Sequence, residues 1–512
     1  MSGEYDDHAR QMRDRLNAVS PSLCLAKWLQ VSISLPSGLT QSCYHPPTHT
    51  IPLVELKDNP GALHNTKFKI HERLEMLDGK RPEGCSYCWK IEDAAGDHLS
   101  DRHYRSSEWW AEKDYYSVVD GPMGTEVEPR YVEVNFNQAC NFKCMYCSPH
   151  LSTSWEEEIR KFGPYELKTG NHNNIQALEK KGLMPLKVAQ ADNPYVTAFW
   201  EWWPTIYRNL RVFRMTGGEP LMDKNTFKVL DYVNENPHGQ LELSITSNFC
   251  PPKQELFDKF IVKVKALEEI RIWEDKENFN EHSQNNWYVA PAHKHFMVFV
   301  SLDGYGEQAE YMRTGMNFDQ LLKNVRTYLQ ETRFSSISFI NTFTLLSIPS
   351  LKQFLNMILE LRKEFGGRVQ EDYTIYPPDS GDFKHPPCTI KKHQRIWFDI
   401  PILRYPPWFS IQNAGKWGID QVKECLVFME ENVQQDDYSE TFEGFKPYEL
   451  LKVKRDLAIM EQELPPTQLD TNKVTFYEFI TEYDNRRNTE FMEVFPEMRK
   501  YYVDCMKTYT KG

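Results

Sequence analysis

Five runs rich in β-branched and aromatic residues punctuate the middle of the chain: YVEVNFN (131–137), LRVFRMT (210–216), LELSITS (241–247), FMVFVSL (296–302) and SISFINTFTL (336–345). Most of them run into a polar or glycine-containing loop, which predicts strands. Between them the apolar positions repeat with helical period. Phe318, Leu321, Leu322, Val325 and Leu329 follow Asn317, an N-cap residue type, and Leu351, Phe354, Leu355, Ile358 and Leu361 follow Ser350. The second pattern runs out at Gly366-Gly367, and EDYTIYP (371–377) offers a sixth strand. Strand, loop and helix repeated in this way predict an α/β fold with a parallel sheet.

The flanks differ from this middle. Before residue 125 the segments are short, with many Pro and Gly and four cysteines. The stretch from 148 to 209 carries WEEEIRKF and FWEWWPTIY, partly helical, and reads as an insertion after the first strand. Beyond 380, HPPCTIKKH and LRYPPWFSIQ are loop-rich, whereas VTFYEFITEYDNRRNTEFMEVF has a helical pattern. Three regions follow: a Cys-rich module at 1–125, the strand-and-helix core at 126–378 with its insertion at about 150–208, and a mixed, mostly helical region at 379–512.

Charge narrows the partners. Sixty basic and 73 acidic side chains leave a net charge of −13, and no basic run stands out, so a nucleic-acid partner is disfavoured. The charged N-terminus, MSGEYDDHARQMRDRLNAVS, lacks the apolar stretch of a signal peptide, and no run is long enough to span a bilayer. The expectation is a cytoplasmic protein whose eleven cysteines are reduced, serving as metal ligands, nucleophiles or core residues.

Three of those thiols stand in NQACNFKCMYCSPH, just past the first strand: Cys140, Cys144 and Cys147. The C-terminal edge of a parallel sheet is where chemistry is commonly housed. A four-iron cube held by three thiolates keeps one iron without a protein ligand, free to take up an amine and a carboxylate. The competing arrangement adds His150 to the three thiolates and closes a structural zinc site.

Cys140-x3-Cys144-x2-Cys147, with the aromatic Tyr146, resembles the signature of the radical S-adenosylmethionine (SAM) enzymes. Further motifs fall in the family's order. Gly217-Gly218-Glu219-Pro220 ends the second strand and resembles the GGEP element, which meets the cofactor's amino group. Thr246-Ser247-Asn248 ends the third strand, and Ser301-Leu302-Asp303-Gly304 ends the fourth, with Arg313 twelve residues after Ser301. In related enzymes a Ser and an Arg at this spacing hold the cofactor carboxylate. The chemistry suits the residue types: Glu219 can accept from an ammonium, Arg313 can clamp a carboxylate in a fork, and the glycines allow close backbone approach. The resemblance implies a partial (β/α)6 barrel, a [4Fe–4S] cluster, bound SAM, and an electron donor such as flavodoxin or ferredoxin.

A second group, Cys24, Cys43, Cys85 and Cys88, is similar to the auxiliary-cluster pattern of twitch and SPASM domains, with Gly38 between the first two and Glu92, Gly96 and Arg102 after the last. Here the module precedes the barrel rather than following it. The resemblance implies an auxiliary iron–sulfur cluster, and a four-thiolate zinc site is the chemical alternative. His45 and His49 can replace a ligand or be loop residues. Cys250 can give a hydrogen atom to a substrate radical or be a buried small side chain. Trp200, Trp202 and Trp203 suit either a pocket or the core. Twitch-type relatives act on carbohydrates, aminocyclitols, nucleotides and peptides, and a small polar metabolite, sugar-like or amino-acid-like, is favoured here over a peptide maturase. A non-catalytic, zinc-stabilised binding protein is the alternative of another class.

Overall fold

A computed structural model of the chain describes residues 2–121, 126–269, 271–274, 287–290, 292–365, 374–375, 388–389, 394–434 and 443–511. The chain divides into two compact units: residues 1–138, 179–226 and 240–245 form one, and residues 139–178, 227–239 and 246–512 form the other.

In the first unit, Tyr131–Asn135 lies between two parallel neighbours, Gln30–Ser34 and Val212–Thr216. Val212–Thr216 also pairs in parallel with residues 242–245 of the strand His238–Ser247, while Leu39–Gln41 and His49–Thr50 add an antiparallel edge. The strand Gln30–Ser34 lies inside the region expected to be a separate Cys-rich module. Its sequence, QVSIS, alternates polar and apolar residues with the strand period, but over five positions only. The helix Pro194–Tyr207 starts at Asn193, whose side chain accepts from the Tyr195 amide, and carries Pro204 in its interior. Phe199, Trp202 and Trp203 on that helix are buried, and Phe199 and Trp203 pack on Phe213. Two of the three tryptophans singled out in the sequence are therefore core residues. Trp200 remains half-buried, its indole N–H on Asn225 and its ring stacked on Phe136.

In the second unit His293–Ser301, Ser336–Ile340 and Ile396–Asp399 run parallel. The helix Phe318–Glu331 begins as expected, Asn317 accepting from the Gln320 amide at 2.8 Å. Leu351–Phe365 follows Ser350, whose hydroxyl accepts from the Tyr305 amide instead of capping its own helix. Of the expected sixth strand only Thr374–Ile375 falls among the described residues, and it pairs antiparallel with Cys388–Thr389. The strand beside Ser336–Ile340 is Ile396–Asp399, past residue 378, where the C-terminal region was expected to begin. Arg362 fixes it from behind, donating to the Ile396 carbonyl. The long helix Pro466–Arg487 and the short Phe491–Val494 occupy the helical stretch read near the C-terminus. The protein is thus a mixed α/β molecule with mostly parallel central strands and many helices. No helix among the described residues is long and apolar enough to cross a membrane.

Candidate functional site

The loop carrying Cys140, Cys144 and Cys147 is tied down by its backbone. Lys143–Cys144 pairs antiparallel with Arg313–Thr314, and the Met145 amide donates to the Met312 carbonyl at 3.0 Å. The helix Thr153–Phe162 then gathers the loop's carbonyls. Ser154 Oγ donates to Cys140 O at 2.7 Å, Ser152 Oγ to Phe142 O at 2.8 Å, and Trp155 Nε1 to Cys144 O at 2.9 Å. Asn173, in the left-handed region at φ 61°, donates to Cys147 O at 3.1 Å. A loop with its acceptors satisfied by fixed donors leaves its side chains as the free variable.

Arg313 is the hub beside these thiols. Its guanidinium is buried and forms an ion pair with Asp303, which is fully buried. Nη2 donates to Asp303 Oδ1 at 3.0 Å and to the Tyr146 hydroxyl at 2.6 Å, and Nη1 reaches Cys144 Sγ at 3.3 Å. Tyr146 in turn donates to Asp303 Oδ2 at 2.9 Å, and the Thr342 amide donates to Oδ1. Nε lies 2.8 Å from Asp303 Oδ2 but out of line, so its N–H is buried without a hydrogen bond. Burial alone would lower the Arg313 pKa; Asp303 and Tyr146 outweigh it and hold the cation well above its ordinary value. Burial pushes the Cys144 thiol up, and Arg313 opposes that shift. The donor set fits an iron–sulfur cluster: three thiols on one fixed loop, a permanent cation on one of them, and a buried N–H still unmet.

The end of the third strand joins this network. Asn248 Nδ2 donates to Asn141 Oδ1 at 2.9 Å, and Asn141 Nδ2 to the Cys250 carbonyl. Ser247 Oγ accepts from the Phe249 amide. Cys250 is buried, with its sulfur 3.9 Å from the Asn317 carbonyl. Ser301 ends its strand half-buried. His150 hydrogen-bonds Ser148 through Nδ1. Among the described residues no three His, Cys, Asp or Glu side chains are gathered as for a single metal ion, at this loop or at any other cysteine group.

The GGEP element belongs to the other unit. Gly217 has φ +127°, and a Cβ there would stand 2.2 Å from Asn135 Oδ1 and 2.9 Å from Asn137 O, so no side chain fits. The Gly218 amide donates to Asn137 O at 3.2 Å. Glu219 is buried, and its Oε1 accepts from the Leu221 amide across the turn Pro220–Met222.

Also in that unit, Cys24, Cys43, Cys85 and Cys88 line one cavity. As free thiols they are pushed up by burial, Cys43 to about 12 with Cys24 adding to it, and Cys85 to about 11 against the pull of Lys27. His45 lines the same cavity, stacked on Tyr87 with its Nε2 on Asp101. His49 instead bonds Thr66 Oγ1 at 2.9 Å. The flanking residues form a buttress: Arg102 grips Glu92 through Nε and Nη2 at 3.0 and 2.9 Å and donates to Leu23 O, next to Cys24. Burial raises the Glu92 carboxyl, but Arg102 and the Ser100 hydroxyl outweigh it and hold it below the usual range. Such a depressed carboxylate contributes stability above its unfolded pKa of about 4.3 and loses it as pH falls through the folded value. Glu92→Gln should therefore cost about 1–3 kcal/mol at neutral pH. Denaturant titrations should show the wild type and the variant converging below about pH 4.

Several supporting residues carry no sequence signature. Tyr483, on the helix Pro466–Arg487, donates to Tyr311 O at 2.7 Å and bonds Thr314. Arg487 bonds Thr314 Oγ1 at 3.1 Å, Tyr165 and Glu158. The helix Pro466–Arg487 thus braces the strand that faces Cys144. Asn341, after Ser336–Ile340, is fully buried, and neither of its amide atoms finds a partner among the described residues. Ser152 caps the helix Thr153–Phe162, its side chain accepting from the Trp155 amide.

No family model matches the chain. Over 128 residues it is 25% identical to the GTP 3′,8-cyclase of Campylobacter lari, a radical SAM enzyme; the match covers 25% of this chain and 30% of that protein. The chain therefore spans less than a third of that relative. The crystal structure of Streptococcus suis SuiB bound to precursor peptide SuiA overlaps 65% of this chain and 60% of that one, at 10% identity and a TM-score of 0.25. A likeness that slight fixes neither fold nor substrate. The three-thiol loop and the GTP 3′,8-cyclase match together support the radical S-adenosylmethionine superfamily.

Proposed function

We propose that this chain reductively cleaves SAM at a [4Fe–4S] cluster held by Cys140, Cys144 and Cys147, within a partial (β/α)6 barrel, and uses the resulting radical on a small polar metabolite. The observation that carries this reading is the fixed three-thiol loop with the buried Arg313–Asp303 pair against Cys144. When bound, the cluster supplies the electron that breaks the carbon–sulfur bond of SAM and releases a 5′-deoxyadenosyl radical.

The chain's own residues hold and shield. Arg313 fixes Tyr146 and Cys144, and its unmet Nε–H, with Ser301, supplies donors for a carboxylate. Glu219, with the open backbone at Gly217 and Gly218, is suited to an ammonium, Pro220 setting the turn that follows. Ser247, Asn248 and Asp303 stiffen the strand ends around the thiol loop. The module of Cys24, Cys43, Cys85 and Cys88 holds an auxiliary iron–sulfur cluster, with zinc as its chemical rival. A small polar substrate is favoured because the matched relative is named for GTP.

The test is anaerobic reconstitution with iron and sulfide, followed by SAM and dithionite. Wild type should form 5′-deoxyadenosine and show a cluster spectrum, and Cys140→Ala should give neither above the protein-free level. Absence of the nucleoside from an iron-loaded wild type would defeat the proposal. Elemental analysis of Cys140→Ala reports separately whether the N-terminal thiols hold iron with sulfide or zinc.

A further inference from the structure

In the first unit a second cavity of about 510 Å³ lies beside the four-cysteine group, within the size range of small-ligand pockets. Lys27, Ser42, His49, Lys69 and Glu72 are among its lining residues. Its deep wall carries unbalanced charge. Lys27, Lys69 and Arg73 are all buried, yet they share one buried carboxylate, Glu72, and Lys27 is paired with it. Arg73 spends its donors on neutral partners: the Lys27 carbonyl, Asn65 Oδ1 and His64 Nε2. Among the described residues the Lys69 ammonium makes one hydrogen bond, to Thr40 Oγ1 at 2.7 Å, and no ion pair. That hydroxyl donates onward to Leu63 O. Ser42, on the same lining, has its Oγ buried without a partner among the described residues. The acids on the lining other than Glu72 are Glu75, half-buried, and Glu83, exposed.

A buried cation with two unused N–H donors, sharing its lining with a buried hydroxyl that has none of its bonds made, is costly unless something enters to meet them. Burial, Arg73 and Lys27 hold the Lys69 ammonium well below its ordinary value, against the opposing pull of Glu72 and Cys43. We infer that this cavity is a binding site for a small organic anion, whose carboxylate or phosphate group is held by Lys69 and Ser42. Lys27 is the cation nearest the neighbouring thiols, 3.8 Å from Cys85 Sγ, while Lys69 feels Cys43 only through its charge. Phe68 and His49, 4.5 Å apart between ring centroids, give the same cavity an aromatic side for the ligand's body.

Sodium selenate serves as the probe, a tetrahedral dianion visible by anomalous scattering. Crystals of the full chain soaked in it should show a selenium peak within hydrogen-bond distance of Lys69 Nζ and Ser42 Oγ. In solution, selenate should raise the wild-type melting temperature above that in chloride of equal ionic strength. Lys69→Met should melt higher than wild type without selenate, since an unbalanced buried charge is gone, and should lose the selenate-dependent rise; Lys69→Arg should keep it. No selenium at Lys69, or an equal rise in Lys69→Met, overturns the proposal. The same holds if Lys69→Met melts lower than wild type in chloride, as it would if Lys69 were only a structural cation.

Discussion

Replacing Arg313 by methionine should lower the stability of its unit by about 3–5 kcal/mol, because it strands a fully buried carboxylate. Asp303 would keep only the Tyr146 hydroxyl and the Thr342 amide. The same change frees Cys144 from the guanidinium that stands 3.3 Å from its sulfur, so iron content and 5′-deoxyadenosine formation should fall to background. Arg313→Met with Asp303→Asn removes both charges and should recover most of the stability without recovering the nucleoside. Urea unfolding followed by tryptophan fluorescence reads the first effect, and iron assay with product analysis the second. Full stability in the single variant, or product formation in the double one, would contradict this account of the hub.

A comparable loss, about 3–5 kcal/mol, is expected far from the thiols on changing Arg362 to methionine. Arg362 and Glu449 are both fully inaccessible to solvent and joined by two hydrogen bonds, at 2.7 and 3.0 Å. Arg362 also donates to Ile396 O and Gly444 O, linking the strand Ile396–Asp399 to the start of the helix Pro447–Met460. Glu449 meanwhile caps that helix by accepting from the Lys446 amide. Removing one charge leaves the other without a counter-charge in a medium of low dielectric. Exchanging both, as Arg362→Met with Glu449→Leu, should restore much of the loss, since apolar replacement of a buried pair is often tolerated. A double variant no more stable than either single one would show that the carbonyl and capping bonds, rather than the charges, dominate.

The site was legible where its chemistry is written locally. Cys140, Cys144 and Cys147 fall within eight residues, and Gly217 to Pro220 within four, so a local resemblance was enough to single them out as candidates. The N-cap Asn317 and the helical repeats behind it were legible for the same reason, since period and capping are properties of neighbouring residues. What spacing could not reveal were partners distant along the chain. Asn173 holds Cys147 O from 26 residues away, and Asn141 meets Asn248 across 107. Tyr483 reaches Thr314 across 169. These are polar side chains with no periodic context, and nothing in their own neighbourhoods marks them.

By itself the chain's order of residues determined which thiols are candidate cluster ligands and the parallel α/β character of the middle. Side-chain chemistry and the two- and 3.6-residue periods are intrinsic to the polypeptide. Only the tertiary structure decided that Gln30–Ser34 lies parallel beside Tyr131–Asn135, and that Arg313 is spent largely on Asp303 and Tyr146. It alone gathered Lys27, Lys69 and Arg73 around a single buried carboxylate. The physical reason is burial: a lysine or arginine reads the same in any sequence, but its need for a counter-charge arises only once folding has taken water away.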